Sequence, residues 1–250
     1  MTFTHPNRLK AKFARGETVV GLSCALGSAQ VAEEFAMAGF DYLYIDQQHG
    51  LTSSDSLVEM LRAIARTDTT PLVRVAKNDA GRIGQALDAG AEGVIIPMID
   101  TAADAALAVA SCRYFPEGNR SWGPIRAHYG LGADPAVVNA EVLCLVMIET
   151  EVGLDNLDEI LAVAGVDGIY IGPADLGVTL GAAPLSFERA TDPRPLEAIA
   201  RIVAACVAAK KIVGTSGTPA VLAASGFTMV TAALDVMLLR SALAQVSTLT

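Results

Sequence analysis

An α/β fold of the (β/α)8 barrel class is what this chain predicts, on three observations: eight short apolar runs, a helix-like segment beside each, and a glycine-headed phrase that recurs at four of the joints. The runs fall at 19–24, 42–46, 71–76, 93–98, 143–149, 168–172, 211–215 and 227–232. Most are continuous rather than alternating in hydrophobicity (LVRVA, GVIIP, LCLVMI, GIYI), as expected of parallel strands covered by helices on one side and packed inside a barrel on the other. Helical patterns occupy 28–38, 54–66, 80–89, 102–111, 154–163, 195–209, 219–224 and 236–246. Thr218 before Pro219, and Asp134 before Pro135, each set a capping side chain ahead of a proline suited to the first helical position. The second pair predicts a short extra helix before Glu141. The phrases AGFDYLYI, AGAEGVII, AGVDGIYI and SGFTMVTA put Gly39, Gly90, Gly165 and Gly226 where a helix ends and a buried strand begins. Eight units in 250 residues average about 31 each, close to the economy of a TIM barrel. The alternative is an open doubly wound sheet, against which stands the lack of a G-x-G-x-x-G phrase after the first strand.

No Gly/Ser-rich or Pro-rich linker divides the chain, so residues 1–250 read as a single barrel domain. Composition limits what it does. With 52% apolar and 18% charged residues it is a globular chain with a sizeable core, and a net charge of −9 with unclustered Lys and Arg tells against nucleic acid as a partner. The amino terminus has no apolar stretch behind its basic residues, and no long apolar run occurs elsewhere, which leads us to expect a soluble cytoplasmic protein without a membrane partner. Cys24, Cys112, Cys144 and Cys206 are widely spaced, with no C-x-x-C pair, and read as reduced and structural. Residues around His5 read as a mobile N-terminal tail. The long irregular segment 113–133, with its aromatic and Arg content, reads as a cover for the mouth of the barrel. The last helix (LDVMLLRSALAQV) has an apolar face suited to packing on a partner or on its own barrel.

In a barrel, catalytic groups come from the C-terminal ends of strands, so polar residues that close an apolar run are the informative ones. Asp46, Gln48 and His49 follow YLYI, Arg74 lies in PLVRVA, Glu149 ends LCLVMI and Asp175 follows GIYIGPA. Arg74 sits between two valines, where a guanidinium needs an anion: either a buried salt bridge, for instance with Asp88, or a bound anionic group. Glu149 and Asp175 end successive strands and either converge on one hard divalent cation, or respectively pair with Arg74 and cap the next helix. His49, three residues after Asp46, is a candidate general base or a hydrogen-bonded structural residue. Of the five lysines, Lys10, Lys12, Lys77, Lys210 and Lys211, only Lys77 is near a suitable strand end, which favours metal over Schiff-base chemistry.

YLYIDQQHG (42–50), PLVRV (71–75), AGAEGVIIPMIDTAADA (89–105), RYFPEGNRSWG (113–123), VMIETEVGLDNLDEIL (146–161) and GVDGIYIGPADLGVTLG (165–181) together resemble the HpcH/HpaI aldolase family. The resemblance runs in order from about residue 17 to 245. It implies a metal-dependent class II pyruvate aldolase on a TIM barrel, cleaving 4-hydroxy-2-oxo acids reversibly to pyruvate, or a related 2-oxo acid, and an aldehyde. By resemblance, Glu149 and Asp175 hold the divalent cation (Mg²⁺, Mn²⁺ or Co²⁺), and Arg74 binds the keto oxygen and stabilises the enolate. His49, paired with Asp46, handles the proton of the aldol hydroxyl. Backbone groups around Gly172, Pro173 and Ala174 meet the substrate carboxylate, and Asp88 matches an acidic residue near the mouth. Ser23, Trp122, Arg126 and Ser216 would bear on the aldehyde, and a homo-oligomer, commonly a hexamer, is implied. The chain departs from the heptenedioate-aldolase branch at Gln48, Met147, Thr215 and Ser216, which tells against that branch's long dicarboxylate substrate. Two alternatives differ from this reading: a citrate-lyase-like or malyl-CoA-type carbon–carbon lyase, which needs a basic, phosphate-cradling CoA site, and a non-catalytic 2-oxo-acid-binding protein, which has no need of the polar strand ends.

Overall fold

Eight parallel strands, β1 (Val19–Cys24), β2 (Tyr42–Asp46), β3 (Thr70–Arg74), β4 (Gly93–Ile96), β5 (Leu143–Ile148), β6 (Gly168–Ile171), β7 (Ile212–Ser216) and β8 (Met229–Leu234), pair in sequence order, and β8 returns to β1 to close the barrel. This computed structural model describes residues 4–247. Around the strands run α1 (Arg8–Ala14), α2 (Ala29–Met37), α3 (Ser54–Ile64), α4 (Ala80–Asp88), α5 (Ala102–Cys112), α6 (Pro135–Glu141), α7 (Glu151–Asp155), α8 (Leu157–Ala162), α9 (Pro173–Thr179), α10 (Pro193–Ala208), α11 (Pro219–Ala224) and α12 (Asp235–Ser247).

Successive side chains of a strand point to opposite faces, and here both faces are buried. Leu43, Ile45, Val73, Val94, Cys144, Val146, Ile169 and Val230 pack outward against the helices. Tyr42, Tyr44, Leu72, Ile95, Leu145, Met147, Tyr170 and Met229 fill the interior. The recurrent glycines mark the helix-to-strand joints as expected: Gly39, Gly90, Gly165 and Gly226 have φ of 81°, 110°, 92° and 91°, a range that L side chains enter only with strain. The short helix predicted before Glu141 is α6, with Asp134 accepting the Ala136 N–H. Thr218 precedes α11 without a side-chain cap; its own N–H is instead held by Glu188 at 2.6 Å.

Three expectations are corrected. The residues after His5 are not a mobile tail: Asn7 caps α1, and Leu9 is wholly buried among the interior residues of the barrel, closing its N-terminal end. Burying one such leucine contributes about 2 kcal/mol, and Asn7 adds a bond from Nδ2 to the Glu92 carbonyl at 3.0 Å. Segment 113–133 does not cover the mouth. It joins α5 to α6 and β5 at the N-terminal end of the barrel, where Arg120 pairs with Asp88 at 2.6 Å and the Arg126 N–H and Nε bond the carbonyls of Asp88 and Ala89. The stretch around 154–163 is one helix in the sequence pattern and two in the structure, α7 and α8, broken at Asn156, whose side chain bonds the Asp100 carbonyl. All four cysteines are free and buried. The apolar side chains of α12 are not covered by its own barrel; Met237, Leu239, Leu243 and Val246 are more than half exposed. No described helix is long and apolar enough to cross a membrane.

At the plugged end, Glu92 is 4% exposed, with Oε2 unpartnered and Oε1 3.4 Å from His5 Nε2. Burial pushes its carboxyl up to about 8, against the opposing charge of Arg8. A carboxyl raised in the folded state keeps its proton there while the unfolded chain loses its own, so folding is progressively penalised as pH rises between the two values. Glu92→Gln is therefore expected to match the wild type in stability near pH 4 and to exceed it increasingly up to about pH 8, measured as urea midpoints across that range.

Candidate active site

The last inward-facing position of each strand rings one open mouth. Asp46 ends β2 and Arg74 ends β3, directly opposite one another in the strand register. The guanidinium meets both carboxylate oxygens, Nε to Oδ1 at 2.9 Å and Nη2 to Oδ2 at 2.6 Å, with side chains 14% and 3% exposed. Burial pushes the Asp46 carboxyl up, but the hydrogen bonds and charge of Arg74, together with the N–H groups of Gln48 and His49, outweigh it and leave the group below its ordinary value. Burial likewise acts to lower Arg74, and the hydrogen bonds of Asp46, together with Tyr44, the Asp46 charge and Tyr170, more than reverse it. The guanidinium also lies 5.6 Å from the centre of the Tyr44 ring. Its Nη1 has no protein partner among the described residues and is left to donate.

Glu149 follows β5 and is 1% exposed. Its Oε1 accepts the Met98 N–H at 2.8 Å, a bond made possible by a left-handed backbone at Met98, φ 56°. Oε2 lies against Gly172, where a Cβ would overlap it. Gly172 caps α9, whose proline-led first turn carries Asp175, an exposed residue. Burial raises the Glu149 carboxyl; the Met98 N–H opposes this, and the neighbouring charge of Asp175 adds to it. Glu149 thus lies against the cap of the helix whose first turn carries Asp175, with no cation bonded to either carboxylate among the described residues, and their all-oxygen donor set fits a hard divalent ion that takes its remaining ligands from water and substrate. No described group of three or more His, Cys, Asp or Glu could hold a metal without such help.

Asp46, Arg74, Glu149, Gly172 and Asp175 are therefore brought to one mouth, and His49 stands exposed on the loop after β2. The expected pairing of the His49 ring with Asp46 is not made. Both oxygens of Asp46 are taken by Arg74, and His49 reaches Oδ1 only through its backbone N–H at 3.3 Å. Glu149 does not pair with Arg74, and Gly172 rather than Asp175 occupies the cap of α9. Pro173 has no N–H to offer a carboxylate; it starts α9, whose first-turn N–H groups at Ala174 and Asp175 have no intrahelical acceptor. Asp88 is not at the mouth. It ends α4, at the opposite end of the barrel from the strand termini, paired with Arg120. Trp122 and Arg126 share that end, so within one chain neither approaches the mouth.

Several site residues had no signal in the sequence pattern. Met98 enters through its backbone, which no side-chain motif reports. Asp235 Oδ2 accepts the N–H groups of Ala25 and Leu26, both at 2.9 Å, and so ties the loop after β1 to the end of β8. Tyr44 and Tyr170, read simply as strand residues, pack edge to face at 5.9 Å beneath Arg74.

Comparison with known proteins adds an independent line. A family profile described as HpcH/HpaI aldolase/citrate lyase matches residues 20–242. A hydroxypyruvate/pyruvate aldolase of Rhizorhabdus wittichii is 38% identical over 246 residues, 96% of this chain and 97% of that protein. Another of the same description from Agrobacterium fabrum is 38% identical over 212 residues, covering 83% and 78%. A crystal structure of an HpcH/HpaI aldolase/citrate lyase family protein from Burkholderia cenocepacia superposes with a TM-score of 0.86 at 33% identity, covering 97% and 98% of the two chains.

Removing Asp46 strands a buried guanidinium. Asp46→Ala is expected to lower stability by about 3 kcal/mol, read from urea denaturation, and Asp46→Ala/Arg74→Met to recover part of that loss.

Proposed function

The chain belongs to the HpcH/HpaI aldolase/citrate lyase family, and we propose that it is a carbon–carbon lyase that cleaves 4-hydroxy-2-oxo acids reversibly to pyruvate, or a related 2-oxo acid such as hydroxypyruvate, and an aldehyde. The observation that carries this reading is the placement at one mouth of Glu149 and Asp175, with no cation bonded to either among the described residues, and of an arginine whose Nη1 has no partner among them.

In this reading Glu149 and Asp175 hold a divalent cation, Mg²⁺, Mn²⁺ or Co²⁺, which when bound supplies Lewis-acid polarisation of the 2-oxo acid. The N–H groups at the start of α9, Ala174 with Asp175, face the substrate carboxylate, and Gly172, lacking a Cβ, leaves the space that Glu149 Oε2 occupies. Arg74 donates from Nη1 to the keto oxygen. His49 takes the proton of the 4-hydroxyl as the C3–C4 bond breaks, the aldehyde leaves, and the electron pair stays on the 2-oxo-acid fragment as its enolate. Arg74 is already locked by Asp46, so it meets the growing negative charge without having to reorganise. Protonation at C3 then gives pyruvate. The lowered Asp46 carboxyl keeps this clamp charged throughout the neutral range.

Small-molecule substrates follow from the same site, and the uncovered apolar side of α12 supports a homo-oligomer, with a hexamer as the expected state. Asp88, at the far end of its own barrel, would meet substrate only across a contact between copies.

The test is pyruvate release from a panel of 4-hydroxy-2-oxo acids by protein stripped of metal and then resupplied. Turnover is expected to vanish on chelation and return with Mg²⁺, Mn²⁺ or Co²⁺. Glu149→Gln and Arg74→Ala should cost on the order of 100-fold or more in kcat, and His49→Ala a similar factor. Metal-independent cleavage, or full activity in Glu149→Gln, would remove the carboxylate pair from the mechanism. Gly172→Ala offers a finer check: at φ −95° an alanine is unstrained, yet its Cβ would displace Glu149 Oε2. A tenfold or larger loss of metal affinity, about 1.4 kcal/mol, with a Tm within a few degrees of wild type is the expected result.

A further inference from the structure

A chain of four hydroxyls runs up the inside of the barrel. Tyr42 Oη lies 2.8 Å from Thr231 Oγ1, Thr231 Oγ1 is 2.8 Å from Tyr170 Oη, and Tyr170 Oη is 3.0 Å from Ser216 Oγ at the mouth. Each hydroxyl has one hydrogen to donate, so four hydrogens serve three bonds and one is left over. It must reside on one member. Tyr42 is 0% exposed, Thr231 2% and Tyr170 3%, and none of the three has another acceptor among the described residues. A spare hydrogen on any of them would be a buried donor left unsatisfied, an arrangement that proteins avoid. Only Ser216 is exposed. The bonds therefore run in one direction: Tyr42 donates to Thr231, Thr231 to Tyr170, and Tyr170 to Ser216, whose own O–H is left to donate into the mouth. Bonds aligned in this way also polarise one another in the same sense.

We propose that Ser216 is a specificity-determining hydrogen-bond donor, held in that role by Tyr170, Thr231 and Tyr42, and that it reads a hydroxyl oxygen on the substrate carbon skeleton next to the bond being made or broken. This rests on the aldolase reading above. The mouth residues beyond Arg74 and the carboxylates support it: Ser23 on β1 is 1% exposed, and its Oγ is buried without a partner. Both serines stand on strands that flank β8, across which they pair with Leu234 and Thr231. An alkyl group set against this wall would cover hydroxyls and offer them nothing, whereas a hydroxyl would satisfy them. The relevant hydroxyl is carried either by the aldehyde, as an α-hydroxyaldehyde, or by the 2-oxo acid, as a 3-hydroxy-2-oxo acid.

Carboligation with added Mn²⁺ separates these sources. With pyruvate fixed, kcat/KM for glycolaldehyde is compared with that for propanal, which replaces the hydroxyl by a methyl. With propanal fixed, hydroxypyruvate is compared with pyruvate. Ser216→Ala is expected to lower one of these hydroxyl preferences, read as the ratio of the two kcat/KM values, about tenfold. Tyr170→Phe, which keeps the ring and removes the orienting donor, should lower the same preference by a factor of about three or more, and cause no further loss in the Ser216→Ala background. Both preferences unchanged in Ser216→Ala, or an equal Tyr170→Phe loss with and without Ser216, would overturn the proposal while leaving the aldolase reading intact. No product from any pair of substrates with the wild-type protein would overturn both.

Discussion

A parallel strand offers its side chains alternately to the inside of the barrel and to the helix layer, and every polar group at the mouth is subject to that alternation. Moving any strand by one residue would send its mouth residue into the apolar layer beneath the helices. Asp46 and Arg74 show what this demands. They face each other on neighbouring strands, so the charge of one is answered by the other before any ligand arrives. Tyr44, two residues below Asp46, then falls beneath the guanidinium, and Tyr170 beside it. The site is thus the top layer of a packed core, and its rigidity is that of the core.

The two ends of the barrel have been put to different uses. At the C-terminal end of the strands lie two carboxylates with no bonded cation among the described residues, an exposed imidazole and a serine hydroxyl left to donate. At the other end α1, α6 and segment 113–133 pack charge against charge and bury Leu9 as a plug. Arg113 is one charge fully engaged there, since at 4% exposed it bonds the carbonyls of Val142 and Gly165 and pairs with Asp167. An arginine so fully engaged is structural, whereas Arg74 keeps a nitrogen in reserve.

Strand and helix positions were legible because apolar runs and glycine punctuation are local signals. The eight runs and the joints at Gly39, Gly90, Gly165 and Gly226 needed no knowledge of distant contacts. The strand-end polar residues were legible too, since Arg74 within PLVRVA conflicts with its surroundings and conflict of that kind marks a site. What was not legible depends on pairing across the chain. Whether Asp46 serves His49 or Arg74 is decided by strand register, and the register shows it bound to Arg74. Segment 113–133 has the composition of an active-site loop, but its place after a helix and before a strand sends it to the opposite end. A pattern of residues does not announce which end of a barrel a loop occupies; the order of elements does. The hydroxyl chain was invisible for a different reason: Tyr42, Tyr170, Ser216 and Thr231 come from four separate strands, and although Ser216 stands out by resemblance, nothing in the sequence links it to the other three.

Closure of the sheet between β1 and β8 joins residues 19–23 to residues 229–234, the first and last strands of the barrel. On the ribosome the first strand must therefore wait for the eighth before one of its edges finds a partner. Until then that edge presents unpaired N–H and C=O groups, the state most open to association with other chains. The Asp235 carboxylate, which accepts the N–H groups just beyond β1, ties this closing pair of strands together at its C-terminal end. A nascent chain stalled before β8 would hold seven correctly ordered strands and still lack a finished mouth.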